Sequence, residues 1–242
     1  MKHLAAAILA ALAVSWPAFG SGASEDESFS CAGIDEVSVN APFLNVEVSA
    51  DEGYAVSVSS DLQGGRLLHA ADGSRLRIWL ENEWPFDWPT GGTLSLQCPR
   101  GTVLKVETVS GSISLERMGS GSWYLHTVSG EIRVRDSRGA LSAASVSGKV
   151  LLDADEGSVT VKTVSGSIEG RRLSLQEDSS FSTISGDVVV RLDAPLDTLR
   201  FDLRSLSGRI VVGNIRAERG LRMGMAGALV RGHSVSGALT FQ

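Results

Sequence analysis

Histidine, cysteine and proline are all scarce in this chain, and each shortage excludes something. The four histidines, His3, His69, His126 and His233, never pair at metal-ligand spacing. Cys31 and Cys98 stand far apart, with no Cys-x-x-Cys. Neither a metal centre nor a cofactor is therefore expected. No Gly-x-Ser-x-Gly elbow comes with a suitable histidine and acid. No Gly-rich stretch runs into a Lys-Ser/Thr and a helix, so nothing is built to cradle phosphate. The Gly-Gly-x-Gly-x-Asp unit of calcium-binding solenoids is missing. Runs of Lys and Arg are missing too, and the formal net charge is -6. Phosphate contacts need a clustered basic surface, so a nucleic-acid partner is not expected.

Glycine is abundant at 27 residues against only 6 prolines, and Ser, Thr and Val recur throughout. That mixture suits short strands joined by tight turns. The start of the chain reads differently. Lys2 and His3 precede an apolar run from Leu4 to Val14, and small residues follow Trp16-Pro17. This is the pattern of a signal peptide, residues 1–23, with cleavage after Gly20 or Ala23. The run is well short of the ~20 residues of a membrane-spanning helix. A secreted or periplasmic product is expected, soluble or envelope-associated. In that oxidising setting Cys31 and Cys98 are the natural disulfide pair, closing a loop of more than 60 residues. A lipid anchor on Cys31 is disfavoured, because acidic Glu25-Asp26-Glu27 separates it from the apolar run.

The dominant feature is a repeat. Thr108-Val109-Ser110-Gly111 recurs as Thr127–Gly130, Ser145–Gly148, Thr163–Gly166, Thr183–Gly186, Ser205–Gly208 and Ser234–Gly237. The glycines Gly111, Gly130, Gly148, Gly166, Gly186, Gly208 and Gly237 step by 19, 18, 18, 20, 22 and 29 residues. Alternating apolar positions flank each copy, as in Leu104-Lys105-Val106 before and Ile113-Ser114-Leu115 after. Period two means a strand with one face buried. One repeat is therefore strand, corner, strand, turn. Such a unit cannot bury its apolar face alone, and stacking builds one continuous core. The fold predicted is an all-β, single-stack β-solenoid of about seven coils, with a β-sandwich of hairpins as the runner-up. The apolar residue of each corner, Val109 and its equivalents, is expected in the core. At least one hydroxyl column then faces out or caps backbone groups.

The pattern Leu-x-Val-x-Thr-Val-Ser-Gly-x-Ile-x-Val, preceded by Leu94-Ser95-Leu96-Gln97-Cys98-Pro99, resembles the adhesin-labelled bacterial β-strand-repeat family of the DUF4097 type. The resemblance runs from Val37 to Leu239 and is densest from Leu94 to Val212. It implies an exported or envelope-associated protein with a β-solenoid-like fold, and it brings no catalytic residues to transfer.

Three regions follow: the signal peptide 1–23, an N-terminal β cap region 24–98, and the solenoid repeats 99–242. Inside the cap region, residues 81–92 break the alternation with Trp84, Phe86 and Trp88 interspersed with Pro85 and Pro89. This loop is either a plug over the first coil or an exposed aromatic platform for an envelope glycan, protein or membrane surface. The residues after the corner glycines are Ser112, Glu131, Lys149, Ser167, Asp187, Arg209 and Ala238. Mixed signs read as a solvated, ion-paired face rather than an acid cluster. The function expected is therefore a non-catalytic structural or adhesin-like binding module. A polysaccharide-acting β-helix enzyme and an ice- or surface-binding hydroxyl ladder are the alternatives weighed.

Overall fold

A computed structural model describes residues 28–62, 65–81 and 91–242. The expected signal segment 1–23 and the aromatic residues Trp84, Phe86 and Trp88 lie outside the described residues. The strands in chain order are β1 (Ser28–Ala32), β2 (Glu36–Asn40), β3 (Asn45–Asp51), β4 (Ala55–Leu62), β5 (Leu67–Asp72), β6 (Arg75–Leu80) and β7 (Gly92–Pro99). Then come the pairs β8 (Val103–Glu107) and β9 (Ile113–Glu116), β10 (Gly121–Thr127) and β11 (Ile132–Arg135), β12 (Arg138–Ser145) and β13 (Val150–Asp153). The next pairs are β14 (Glu156–Thr163) and β15 (Ile168–Leu175), β16 (Ser179–Thr183) and β17 (Val188–Leu192). The chain ends with β18 (Arg200–Ser205), β19 (Ile210–Val212), β20 (Ile215–Ala217), β21 (Gly220–Met223), β22 (Leu229–Ser234) and β23 (Leu239–Phe241).

Each coil puts one strand in a first sheet and the next in a second, and like strands pair in parallel from coil to coil. The protein is a β-solenoid. Alternation does what the sequence requires of it. Leu104 and Val106, Leu125, Val159 and Val161 point in from one sheet; Ile113 and Leu115, Ile132 and Val134, Val188 and Val190 point in from the other. Phe181, Phe201 and Phe241 pack edge to face at 5.6–5.9 Å. Gly232 leaves room for Leu203 beside them, since a Cβ there would meet Leu203 Cδ2 at 2.7 Å.

The described strands form nine coils, not the seven counted from the motif. The extra two come from the region read as a cap: β2–β3 is a full coil, and so is β6–β7. They fall outside the motif count because they lack its Ser-Gly; in β2–β3, Pro42 and Leu44 occupy the corner's place.

The first and last coils in sequence both lie inside the stack. β2 pairs with β6 on one side and β8 on the other, so the first coil sits between the second and third. At the other end, β22 lies between β16 and β18, and β23 between β17 and β19. The corner glycines thus stack in the order 111, 130, 148, 166, 186, 237, 208. The odd steps of 22 and 29 residues in the sequence mark this crossing. The outermost coils are internal in sequence, so chain on either side can fold back on them. β5 runs antiparallel to β6, and β4 to β7 with β1 beyond it. At the opposite end β21 covers β18 and β20 covers β19. These antiparallel strands cover edges that would otherwise invite another chain.

The corner corrects one expectation. Alternation persists through Thr108, so the hydroxyl enters the core and Val109 turns outward. Thr108, Thr127, Ser145, Thr183, Ser205 and Ser234 are buried, whereas Val109 and its equivalents are partly exposed and Leu206 is 74 % exposed. A buried hydroxyl needs a partner, and the backbone supplies it three residues on. Gly111 N–H donates to Thr108 Oγ1 at 3.1 Å, and the same bond forms at Gly130, Gly148, Gly186, Gly208 and Gly237 over 2.8–3.0 Å. The second hydroxyls face solvent and donate to the coil before, as Ser129 Oγ does to Val109 O at 3.2 Å.

Candidate functional site

The corner glycines are structural, and the reason is close approach. A Cβ on Gly130 would sit 1.8 Å from Gly111 O, and one on Gly148 1.7 Å from Gly130 O.

At the opposite corner, Arg117, Asp136, Ala154 and Arg172 hold φ of 59, 49, 58 and 54°, a column of left-handed residues without glycine. The residue after each is buried: Met118, Ser137, Asp155 and Leu173. Asp155 is the exception in chemistry. Its carboxylate accepts from Ser137 N–H at 3.0 Å and Asp153 N–H at 3.2 Å. Loss of water outweighs those bonds, and the nearby charges of Asp136 and Asp153 add to it; the pKa is pushed up to about 7. Sequence reasoning missed Asp155, because nothing local separates it from an exposed turn aspartate. A raised carboxylate pKa means the folded state holds the proton longer than the unfolded chain. This group therefore favours folding most at acid pH, and the benefit is lost as pH rises from about 4 toward 7. Relative to Asp155→Asn, the wild type should lose up to about 4 kcal/mol between those limits. Urea unfolding of both proteins across pH 4–8 checks it, and a difference that stays constant with pH would refute a buried, titrating Asp155.

The expected Cys31–Cys98 bridge is not formed; both are free thiols. Cys31 on β1 lies opposite Val56 of β4, and continuing the β4–β7 register by one residue places Cys98 opposite Val56 from the other side. Two strand spacings put the Cα atoms about 10 Å apart, beyond the ~4.4–6.8 Å of a disulfide. β4 ties this end together by hydrogen bonds instead. Burial pushes the Cys98 thiol up to about 12 and raises that of Cys31.

The outer faces carry paired charge. On the second sheet Glu116 meets Arg135 at 3.3 Å, Glu169 meets Lys149 at 2.8 Å, Asp153 meets Arg172 at 2.8 Å, and Glu131 meets Arg133. They surround a shallow depression of about 250 Å³. Nearer the N-terminal end the same face is neutral, a trough of about 480 Å³ lined by Ser30, Ser57, Ser59, Ser95 and Gln97. On the first sheet, His126 lies beside Glu107, which Lys105 approaches to 3.2 Å. Burial lowers the His126 pKa. Among the described residues no three His, Cys, Asp or Glu side chains converge as metal ligands would. None of the described helices is long and apolar enough to cross a membrane.

Residues 90–223, more than half of the chain, match the Toastrack DUF4097 family. The chain belongs to that family. Its adhesin-labelled relatives were the resemblance read from the corner motif, and the match covers the coils from β7 through β21. Two solved structures are similar over most of their length. One is a candidate cell adhesion protein from Clostridium sporogenes ATCC 15579, 10 % identical with a TM-score of 0.43, covering 91 % of this chain and 99 % of its own. The other is a candidate lipid binding protein from Parabacteroides distasonis ATCC 8503, 17 % identical with a TM-score of 0.45, covering 89 % and 96 %. Likeness at this level carries no argument about activity. No curated protein matches the sequence.

Proposed function

We propose that this chain is an exported, non-catalytic binding module of the cell envelope. One observation carries the reading: at the centre of the broad face, Glu116, Glu131, Asp153 and Glu169 each sit against an Arg or Lys. Glycoside hydrolysis needs two carboxyl groups poised around a bond, one of them with a raised pKa. Carboxylates neutralised in pairs on a flat sheet suit recognition instead. Asp155 does have a raised pKa, but it is enclosed in the core. The apolar segment Leu4–Val14 with its basic start supports export. The aromatic residues Trp84, Phe86 and Trp88 are the proposed contact with envelope glycan, protein or membrane surface.

The test is retention on purified envelope fractions of the protein beginning at Ser24, which contains every described strand. Retention is expected, and Trp84→Ala with Trp88→Ala should weaken it roughly tenfold or more, as loss of aromatic anchors does, with the melting temperature unchanged. A folded protein that passes through unretained overturns the reading. Depolymerisation of envelope glycan that stops with one carboxylate substitution would replace it with an enzyme.

A further inference from the structure

The two ends of the stack differ in sign. Residues 191–242 hold eight arginines against four acids, while the 190 residues before them hold 14 basic and 24 acidic side chains. Arg191 stays on β17, and Arg200 and Arg231 face Asp178 at 3.9 and 3.5 Å; the tertiary structure gathers the other five arginines at one place, since β18–β19 is the outermost coil and β20 and β21 cover its edges. Arg209 sits on its corner, Arg216 on β20 and Arg219 in the link to β21. Arg222 and Arg204 share Asp202 at 3.3 and 3.4 Å. Arg209, Arg216 and Arg219 have no ion-pair partner among the described residues.

The same end leaves apolar surface open. Ile215 registers with Val212, Leu221 with Leu203 and Met223 with Phe201, so these side chains extend the core rows by one layer. No described strand stacks beyond them. Ile215 is 46 % exposed, Leu206 on the corner is 74 % exposed, and Met225 in the loop after β21 is fully exposed at 101 %. The opposite end is closed differently. There Phe29 of β1 stacks on His69 of β5 at 3.6 Å, joining the two sheets over the core.

We propose that the C-terminal end of the solenoid is a docking face for an anionic phospholipid bilayer, with the solenoid axis standing off the surface. Guanidinium groups match lipid phosphates with two-pronged hydrogen bonds, and a negative leaflet attracts each nearby Arg over roughly a Debye length. Ile215, Leu206 and Met225 supply the apolar contact with the headgroup–acyl boundary. The acidic remainder of the chain is repelled, which selects the end-on orientation. A second copy docking head to tail is the rival occupant, because residues 28–81 carry eight acids and three arginines. Among the described residues of that end, the Phe29–His69 stack offers that copy no apolar opening to match. The proposal deepens the envelope reading and rests on it only for the presence of a bilayer.

The experiment is co-sedimentation of the protein beginning at Ser24 with vesicles of phosphatidylcholine, alone or mixed with phosphatidylglycerol, at about 0.1 M salt. Binding is expected on the mixed vesicles only. Arg209→Glu, Arg216→Glu and Arg219→Glu together should weaken it at least tenfold, Met225→Ser with Ile215→Ser several-fold, and Lys162→Glu in mid-stack should change nothing. Should the triple variant lose its melting transition, Arg216→Glu alone reads the same surface. Equal binding to both vesicles, or wild-type binding by the folded variant, overturns the proposal. So does self-association of the wild type, seen by light scattering and abolished by the triple substitution, with no vesicle binding. Because the vesicle assay needs neither export nor an envelope receptor, its failure leaves the envelope reading to its own test.

Discussion

Deleting residues 229–242 should abolish cooperative folding. In most repeat proteins the last unit is an end and can fray. Here the last 14 residues include β22 and β23, which lie between two other coils and hydrogen-bond to both. Val230, Leu239 and Phe241 are 0 % exposed. Their burial contributes roughly 5–9 kcal/mol, against a typical domain stability of about 5–15. Phe241 also holds Phe181 and Phe201 on either side, at 5.9 and 5.6 Å. Deletion would open parallel edges on β16, β17, β18 and β19 at once. Near-ultraviolet circular dichroism and a urea titration would report the loss. A sharp transition at the wild-type midpoint would mean that the coil β18–β19 slides down onto β16–β17, which its own Ser205–Gly208 corner would permit.

Gly148→Val should cost at least about 4 kcal/mol, the range reserved for core disruption. A Cβ at this position meets Gly130 O at 1.7 Å, Gly130 C at 2.7 Å and Ser145 Oγ at 2.8 Å. Two of these are backbone atoms of the next coil, so no side chain can rotate away. Relief requires the coils to separate. That would break the bonds from Val146 N–H and Ser147 N–H to Val128 O, now 3.2 and 2.9 Å, and loosen Val150 and Leu152 beneath them. Ser147→Ala, on the exposed hydroxyl one residue earlier, should move the denaturation midpoint by no more than about 0.5 kcal/mol. Equal midpoints for the two variants would refute a corner held by stacked carbonyls.

Much of this was legible in the sequence, and particular residues show where legibility stopped. Leu104-Lys105-Val106 and Ile113-Ser114-Leu115 announce half-buried strands, and the seven Ser-Gly corners announce repeated coils. The corner's inside and outside were misjudged because Val109 is the more apolar residue. Thr108 continues the alternation of its strand and brings an acceptor to the otherwise unpaired Gly111 N–H. Cys31 and Cys98 looked like partners until β4 was found running between them. Trp84, Phe86 and Trp88 stand out in the sequence by composition alone. Asp155 gave no sign of burial, since that depends on Met118, Ser137 and Leu173 stacking above and below it.

The sequence by itself determined the repeating unit: period-two apolar alternation fixes the strands, and the corner glycine is fixed because only hydrogen fits against a stacked carbonyl. The order of the coils was decided by the tertiary structure alone. Units with nearly identical corners can stack in many orders, and local chemistry does not rank them. What ranks them is the cost of bare strand edges, which is smallest when the first and last coils in sequence lie inside the stack and β1, β4, β5, β20 and β21 fold back over its outermost coils. That same arrangement brings Arg204, Arg209, Arg216, Arg219 and Arg222 to one end of the molecule, a position the chain order does not reveal.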